Sequence, residues 1–275
     1  MSNPRQIFED NIRPAELLLQ IYRLLDADDQ ILTEGEMVGA LRLLVHATRE
    51  EDLMVVTNEL FLGLVRERAQ MARSTLRRAT LAHLLRQSIV MACTALDTFL
   101  PALLRANLPI IIRAVGRDFI PTNDPTVVDY FKDLTFTLDE TLRLIKDASA
   151  ADYISTRILS LTNFKYLSTR KGVAVVGRLH GLEKPWEQIV THLGMNAERR
   201  EIMDTLDRTV TRRNDIVHRA DRPQDNPDGE PQAITFAAAK QSVDTIRHIC
   251  LALDELVVER IKAYAAQVEA NAAHG

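Results

Sequence analysis

The segment Arg212-Arg213-Asn214-Asp215-Ile216-Val217-His218-Arg219 gathers the side chains of this sequence best suited to chemistry. An imidazole changes charge near neutral pH, so His218 is of the type that takes or returns a proton under cellular conditions. A guanidinium grips phosphate oxygens with a planar fork of N–H donors and stays charged, which suits Arg213, and beside it Arg212, Arg219 and Arg222, to a phosphodiester. Asn214 stands one helical turn before His218 and shares its face. Acting together, such groups can cleave RNA without a metal. A base withdraws the 2′-OH proton, the alkoxide attacks the adjacent phosphate, and an arginine stabilises the added charge. DNA lacks that hydroxyl.

The same residue types also describe a half-buried histidine on an Arg-rich surface helix. Spacing alone decides little, because Arg77 and Arg78 precede His83 in the same way. Context separates the two. His83 has Leu81 and Leu84 beside it at the start of a long apolar pattern and reads as packing. His218 has a polar residue directly after the arginine and a loop beyond, opened by Pro223.

Other chemistries find less support. His46, His83, His180, His192, His218, His248 and His274 are scattered, none in His-Glu-x-x-His or near a cysteine pair, so no metal site is expected. No Gly-x-Ser-x-Gly elbow supports a serine nucleophile. Gly172 to Gly177 lacks the Lys and Ser/Thr that a phosphate loop needs after its last glycine, since Arg178 and Leu179 stand there. The paired carboxylates Asp254 and Glu255 fit an exposed helix face. Nothing calls for a cofactor.

The elements that must position these groups read as helices. Leu, Ala, Arg, Asp and Glu are plentiful, aromatics make up 5%, and Gly and Pro number ten each. That mixture favours an all-α fold. Leu17, Leu18, Ile21 and Leu24 place a helix over 13–26. Thr33 and Glu36 form a capping box for a helix through Met37, Leu41, Leu44 and Val45, and another helix covers 50–78. Leu85, Ile89, Ala92, Leu96, Phe99 and Leu103 mark one face of a long helix that Pro101 should kink or interrupt. An irregular stretch is expected around Pro109, Pro121 and Pro125. Helices follow over 126–147, 152–170 and 197–222, the last ended by Pro223, while Gly172 to Gly177 reads as strand or helix. The final helix carries Val243, Ile246, Cys250, Leu253, Val257 and Ile261 on one face.

The net charge of −4 means that any nucleic-acid contact needs a local basic patch. Arg66, Arg68, Arg73, Arg77, Arg78 and Arg86 form one candidate, and Arg208, Arg212, Arg213, Arg219 and Arg222 another; each also reads as a solvated helix face. Cys93 and Cys250 lie in apolar helical patterns and read as buried small hydrophobes. The N-terminus lacks the shape of a signal peptide, and no apolar run approaches the roughly 18 residues of a membrane span, so a cytoplasmic protein is expected.

Arg213-Asn214-Asp215-Ile216-Val217-His218 resembles the signature of HEPN domains: Arg, a polar residue, a few residues, then His. Ser88 to Leu104, with Ala95-Leu96-Asp97-Thr98-Phe99-Leu100, is similar to the first long helix of these domains, which often carries an acidic residue where Asp97 stands. Trp186 to Leu193 and the final helix after Ile234-Thr235-Phe236 resemble the RNA-ligase/phosphatase-associated branch. The likeness spans roughly residues 80 to 265. It implies a HEPN-type helical bundle over 80–275; residues 1–79 lie outside the likeness, and from their position those additional N-terminal helices are expected to serve regulation or partner docking. It further implies a metal-independent endoribonuclease, commonly dimeric, of the kind that serves bacteria as a toxin or antiviral effector. Arg213 and His218 would be catalytic, Asn214 would assist and Asp97 would support them, with Arg212, Arg219 and Arg222 touching RNA. Expected partners are the RNA substrate, a second copy of the chain, and an antitoxin, a sensor or an Argonaute- or CRISPR-type system. The alternative is a non-catalytic module of the same fold that binds a protein or a nucleotide.

Geometry adds one expectation. Residues five apart on a helix point about 140° apart, so Arg213 and His218 cannot both face one small site from one straight helix. Two copies meeting on a twofold axis would relieve this, as would a helix end distorted before Pro223.

Overall fold

The computed structural model describes residues 3–25, 78–121, 123–145, 147, 149–195 and 198–274. The capping box at Thr33 and Glu36, the helix through Met37 to Val45, the helix over 50–77, and Arg66, Arg68, Arg73 and Arg77 lie outside the described residues. Among those described there is no strand, and the fold is an all-α bundle. Its helices are α1 (Pro4–Leu25), α2 (Arg78–Val115), α3 (Pro125–Phe131), α4 (Leu138–Leu144), α5 (Ala150–Ser160), α6 (Arg170–Leu179), α7 (Pro185–His192), α8 (Arg199–Arg219) and α9 (Phe236–His274).

Helix α2 is the axis of the bundle. Leu85, Ile89, Ala92, Leu96, Phe99 and Leu103 are all buried, as their spacing predicts. The helix continues through Pro101 and Pro109 to Val115, so neither proline interrupts it and the irregular stretch begins later. One 18-residue window of α2 has a mean hydropathy of 1.5, long and apolar enough by composition to cross a membrane, which corrects the sequence reading. In the fold, 56% of that window is buried, against α1, α5, α8 and α9. α9 supplies the opposing face with Val243, Ile246, Cys250, Leu253 and Val257, all buried, and Ile261 packed at the margin.

Helix α1 joins the same core. Its buried stripe is Phe8, Ile12, Ala15, Leu19 and Tyr22, a helical face displaced from the one its leucines suggested; Leu17 is 53% exposed. Phe8 meets Phe99 edge to face with centroids 5.5 Å apart, and Tyr22 stacks on Phe236 at 6.0 Å. Arg247 on α9 bonds Glu9 at 3.1 Å and Glu16 at 3.1 Å. These ion pairs are partly exposed and contribute at most about 1 kcal/mol each. Each buried large apolar side chain contributes about 2 kcal/mol, so burial docks α1 and the charges set its register.

Two helices are shorter than their apolar patterns predict. The helix expected over 126–147 is broken at 132–137. Asp124 caps α3, accepting from the Thr126 N–H at 2.9 Å. Thr137 caps α4 in a reciprocal box: the Glu140 N–H donates to Thr137 Oγ1 at 3.2 Å and the Thr137 N–H to Glu140 Oε2 at 2.7 Å. A residue that caps a helix cannot continue the previous one. Likewise the helix expected over 152–170 ends at Ser160, and Thr169 caps α6, which settles Gly172 to Gly177 as helical.

His180 closes α6 and is wholly buried. Its Nδ1 lies 2.7 Å from the Val176 carbonyl and its Nε2 3.3 Å from Asn107 Nδ2, the pattern of a neutral ring that donates at Nδ1 and accepts at Nε2. Burial pushes the imidazole down to about 4. The unfolded chain therefore binds the proton first, and stability present above pH 6.5 is lost as pH falls towards 4. The expected loss is about 3 kcal/mol. Urea midpoints measured between pH 7 and pH 4 should show a steeper acid loss for the native protein than for His180→Gln; equal slopes refute the assignment.

Candidate active site

The motif lies on α8, a regular helix through Arg219. Its end comes three residues before the position expected from Pro223. Ala220 and Asp221 take positive φ values of 50° and 65°, and the Asp221 N–H donates to the Asp215 carbonyl at 2.9 Å. This left-handed close reverses the chain beyond His218, so His218 sits on undistorted helix.

Arg213 points at α2. Its Nη2 donates to Asp97 Oδ2, and its Nη1 to Asn214 Oδ1 at 3.0 Å. Asp97 also accepts from the hydroxyl of buried Ser168, which precedes α6. The carboxylate is thus gripped from two sides, and it fixes the guanidinium plane. Two of the five guanidinium N–H groups are spent on these oxygens, and the group also meets the sulfur of Cys93, so only its exposed edge is open to a phosphate. Arg213 and Asp97 keep 26% and 33% of their side-chain surface, enough for a ligand to reach the pair.

Asn214 and His218 are exposed on the outward face of α8, with Val217 between them 55% exposed. His218 has no hydrogen-bond or ion-pair partner among the described residues. Within one chain, then, Arg213 faces α2 while His218 faces solvent, as their five-residue separation requires.

Cys93 stands one turn before Asp97 on α2 and is fully buried. Burial pushes its thiol up to about 12; Arg213 works against this and Asp97 with it. Cys93 therefore stays protonated and is no nucleophile. Cys93 and Cys250 are both free and buried, as their patterns predict. His83 is exposed rather than packed. Among the described residues no group of three His, Cys, Asp or Glu side chains could hold a metal ion.

The remaining arginines divide. Arg219 bonds Asp215 one turn back, and Arg222 Nε donates to the Gly229 carbonyl at 2.9 Å; both keep part of their surface. Arg212 turns inward. Its Nη2 lies 2.7 Å and its Nε 2.5 Å from the carboxylate of Asp221, and Nη2 also reaches the Gln232 and Ala233 carbonyls at 3.1 Å. Arg86, counted in the N-terminal arginine run, is buried on the same carboxylate, with Nε 2.6 Å from Asp221 Oδ2 and Nη2 2.8 Å from the Gln232 carbonyl.

Asp221 is thus a wholly buried node that joins α2, α8 and the 222–235 loop, and sequence reasoning passed over it. A carboxylate in the left-handed turn after an Arg-rich helix was the one available signal, since few side chains but Asn and Asp tolerate that turn.

The all-α bundle thus carries Arg213, Asn214 and His218 on one helix and Asp97 on the long helix beside it, the placement that the resemblance to HEPN domains implied. The RiboL-PSP-HEPN family profile matches residues 69–259, and the chain belongs to that family. The matched segment begins about ten residues before the start expected from the resemblance and leaves out α1. No curated protein and no solved structure matches the chain significantly.

Proposed function

We propose that the chain is a metal-independent endoribonuclease, and the observation that carries this is Arg213 held by Asp97 beside an exposed Asn214 and His218. His218 takes the 2′-OH proton, the alkoxide attacks the adjacent phosphorus, and the bond to the 5′-oxygen breaks as that oxygen takes a proton from water, His218 later releasing its own to solvent. The products are a 2′,3′-cyclic phosphate and a free 5′-hydroxyl. Arg213 neutralises charge on the non-bridging oxygens. Arg219 and Arg222 flank the strand, and Arg212 braces the helix through Asp221 while adding its charge at the edge.

A second copy of the chain completes the cleft. The exposed face of α8 that carries Val217 and His218 suits a twofold contact, which sets the His218 of one subunit near the Arg213 of the other. In a bacterial cell such an enzyme serves defence or acts as a toxin in the cytoplasm, restrained by an antitoxin or sensor; two reduced cysteines fit that compartment.

The test is incubation of the purified chain with RNA and with the matching DNA in EDTA. Cleavage of RNA alone, ending in cyclic phosphate, is expected. The second reading, a non-catalytic partner-binding module, is favoured by the inward turn of Arg212, whose donors go to Asp221 and the Gln232 and Ala233 carbonyls. It stands if no RNA is cut by the dimer and expression leaves growth unchanged.

A further inference from the structure

A groove of about 590 Å³ runs between α8 and the start of α9, away from the Arg213–Asp97 contact. Arg208, Thr211, Arg212 and Asp215 line its α8 wall, and Gln241 faces them from α9. Thr211, Asn214, Asp215 and His218 follow one another at helical spacing, so the wall of the groove continues into the turn that presents His218. The volume falls within the roughly 300–1,000 Å³ of small-ligand sites.

Charge decides what such a groove accepts. Asp207, at its rim, lies 2.5 Å from Arg170, and Asp215 is paired with Arg219. Arg212 shares the single carboxylate of Asp221 with Arg86, which holds it away from the groove's open side. Arg208 donates to Thr205 Oγ1 at 2.8 Å and has no carboxylate partner among the described residues. Among the described lining residues Arg208 is thus an exposed cation without a carboxylate of its own. The Thr211 hydroxyl has no partner among the described residues, and the Gln241 amide makes only a 3.4 Å contact with Glu201, so both are available to a polar ligand.

We propose that this groove is a nucleotide subsite, resting on the ribonuclease reading, which seats a residue of the RNA strand flanking the scissile bond with Arg208 on its phosphate. Arg208 and His218 are ten residues apart, about 15 Å along the helix axis. Arg208 thus meets a neighbouring phosphate rather than the reacting one. It governs how tightly the strand is held, and His218 governs turnover.

The experiment measures binding of a labelled single-stranded RNA to the His218→Ala protein by fluorescence anisotropy, across a salt series. Adding Arg208→Ala should weaken binding about 10-fold and lower the slope of log affinity against log salt by about 0.7, the signature of one lost phosphate contact. Arg260→Ala, an equal charge removed from the far part of α9, should change neither. Equal effects of the two substitutions, or no RNA binding, overturn the proposal. Displacement of the RNA by ribonucleoside monophosphates at equal phosphate concentration also overturns it, and makes the groove a site for free nucleotides. Arg208-dependent binding in a protein whose native form cuts no RNA upholds the subsite and overturns the ribonuclease reading. With cleavage present, Arg208→Ala should raise KM about 10-fold and leave kcat unchanged.

Discussion

His218→Ala should lower kcat for RNA cleavage by about 10²–10⁴-fold, the range for removal of a general base, and leave thermal stability where it was. His218 is exposed and has no partner among the described residues, so its loss leaves none of them buried and unsatisfied. Arg213→Ala should cost about 10²–10³-fold through lost charge stabilisation. Arg213→Lys should not restore it, because an ammonium cannot hold Asp97 and a phosphate oxygen in one plane. Mixing separates a shared cleft from a single-chain one. If each cleft takes Arg213 from one subunit and His218 from the other, co-refolding the two inactive alanine variants creates heterodimers with one intact site in two. Random pairing then returns roughly a quarter of native activity. No recovery in a dimer that has exchanged subunits places both groups of each cleft on one chain.

Asp221→Ala should destabilise the fold by about 3–5 kcal/mol, the cost of leaving buried cations without their partner. Native domains are stable by about 5–15 kcal/mol, so the loss is roughly a fifth of the whole or more. Two arginines depend on this carboxylate, and both also use the Gln232 carbonyl, so the 222–235 loop should loosen with it. Urea unfolding at neutral pH measures the difference. A midpoint change worth under about 1 kcal/mol would falsify the role of Asp221 as the node. Asp221→Asn should recover part of the loss, since the amide keeps one acceptor but no charge.

The faces of α2 and α9 were legible in sequence because Leu, Ile and Val recur there at the helical period and the core takes that face whole. The stripe of α1 was not. The helix was expected over 13–26 but starts at Pro4, so Phe8 and Ile12, which set the buried face with Ala15, Leu19 and Tyr22, were left out, and Leu17 was assigned to a face that lies outside. The break before α4 was written locally, in Thr137 and Glu140, but a run of helix-compatible residues on either side masked it. The motif was visible as residue types, and its anchor as an acid on the expected helix. That Arg213 meets Asp97 across 116 positions is a property of packing. So is the burial of Arg86 and Arg212. An arginine in a basic run carries no mark of whether it faces water or a carboxylate, and Asp221 meets Arg86 from 135 positions away.

The docking of α1 has a consequence for how the molecule comes into being. Its core partners include residues of α9 more than two hundred positions later, through Tyr22 with Phe236 and Glu9 with Arg247. α1 is synthesised well before α9, so the bundle closes only when synthesis has passed α9. Until then α2 lacks part of its cover, and the acid that holds Arg213 has no settled place. Arg213 and Asp97 are both made before α9, yet the bundle that fixes their meeting is finished only with it.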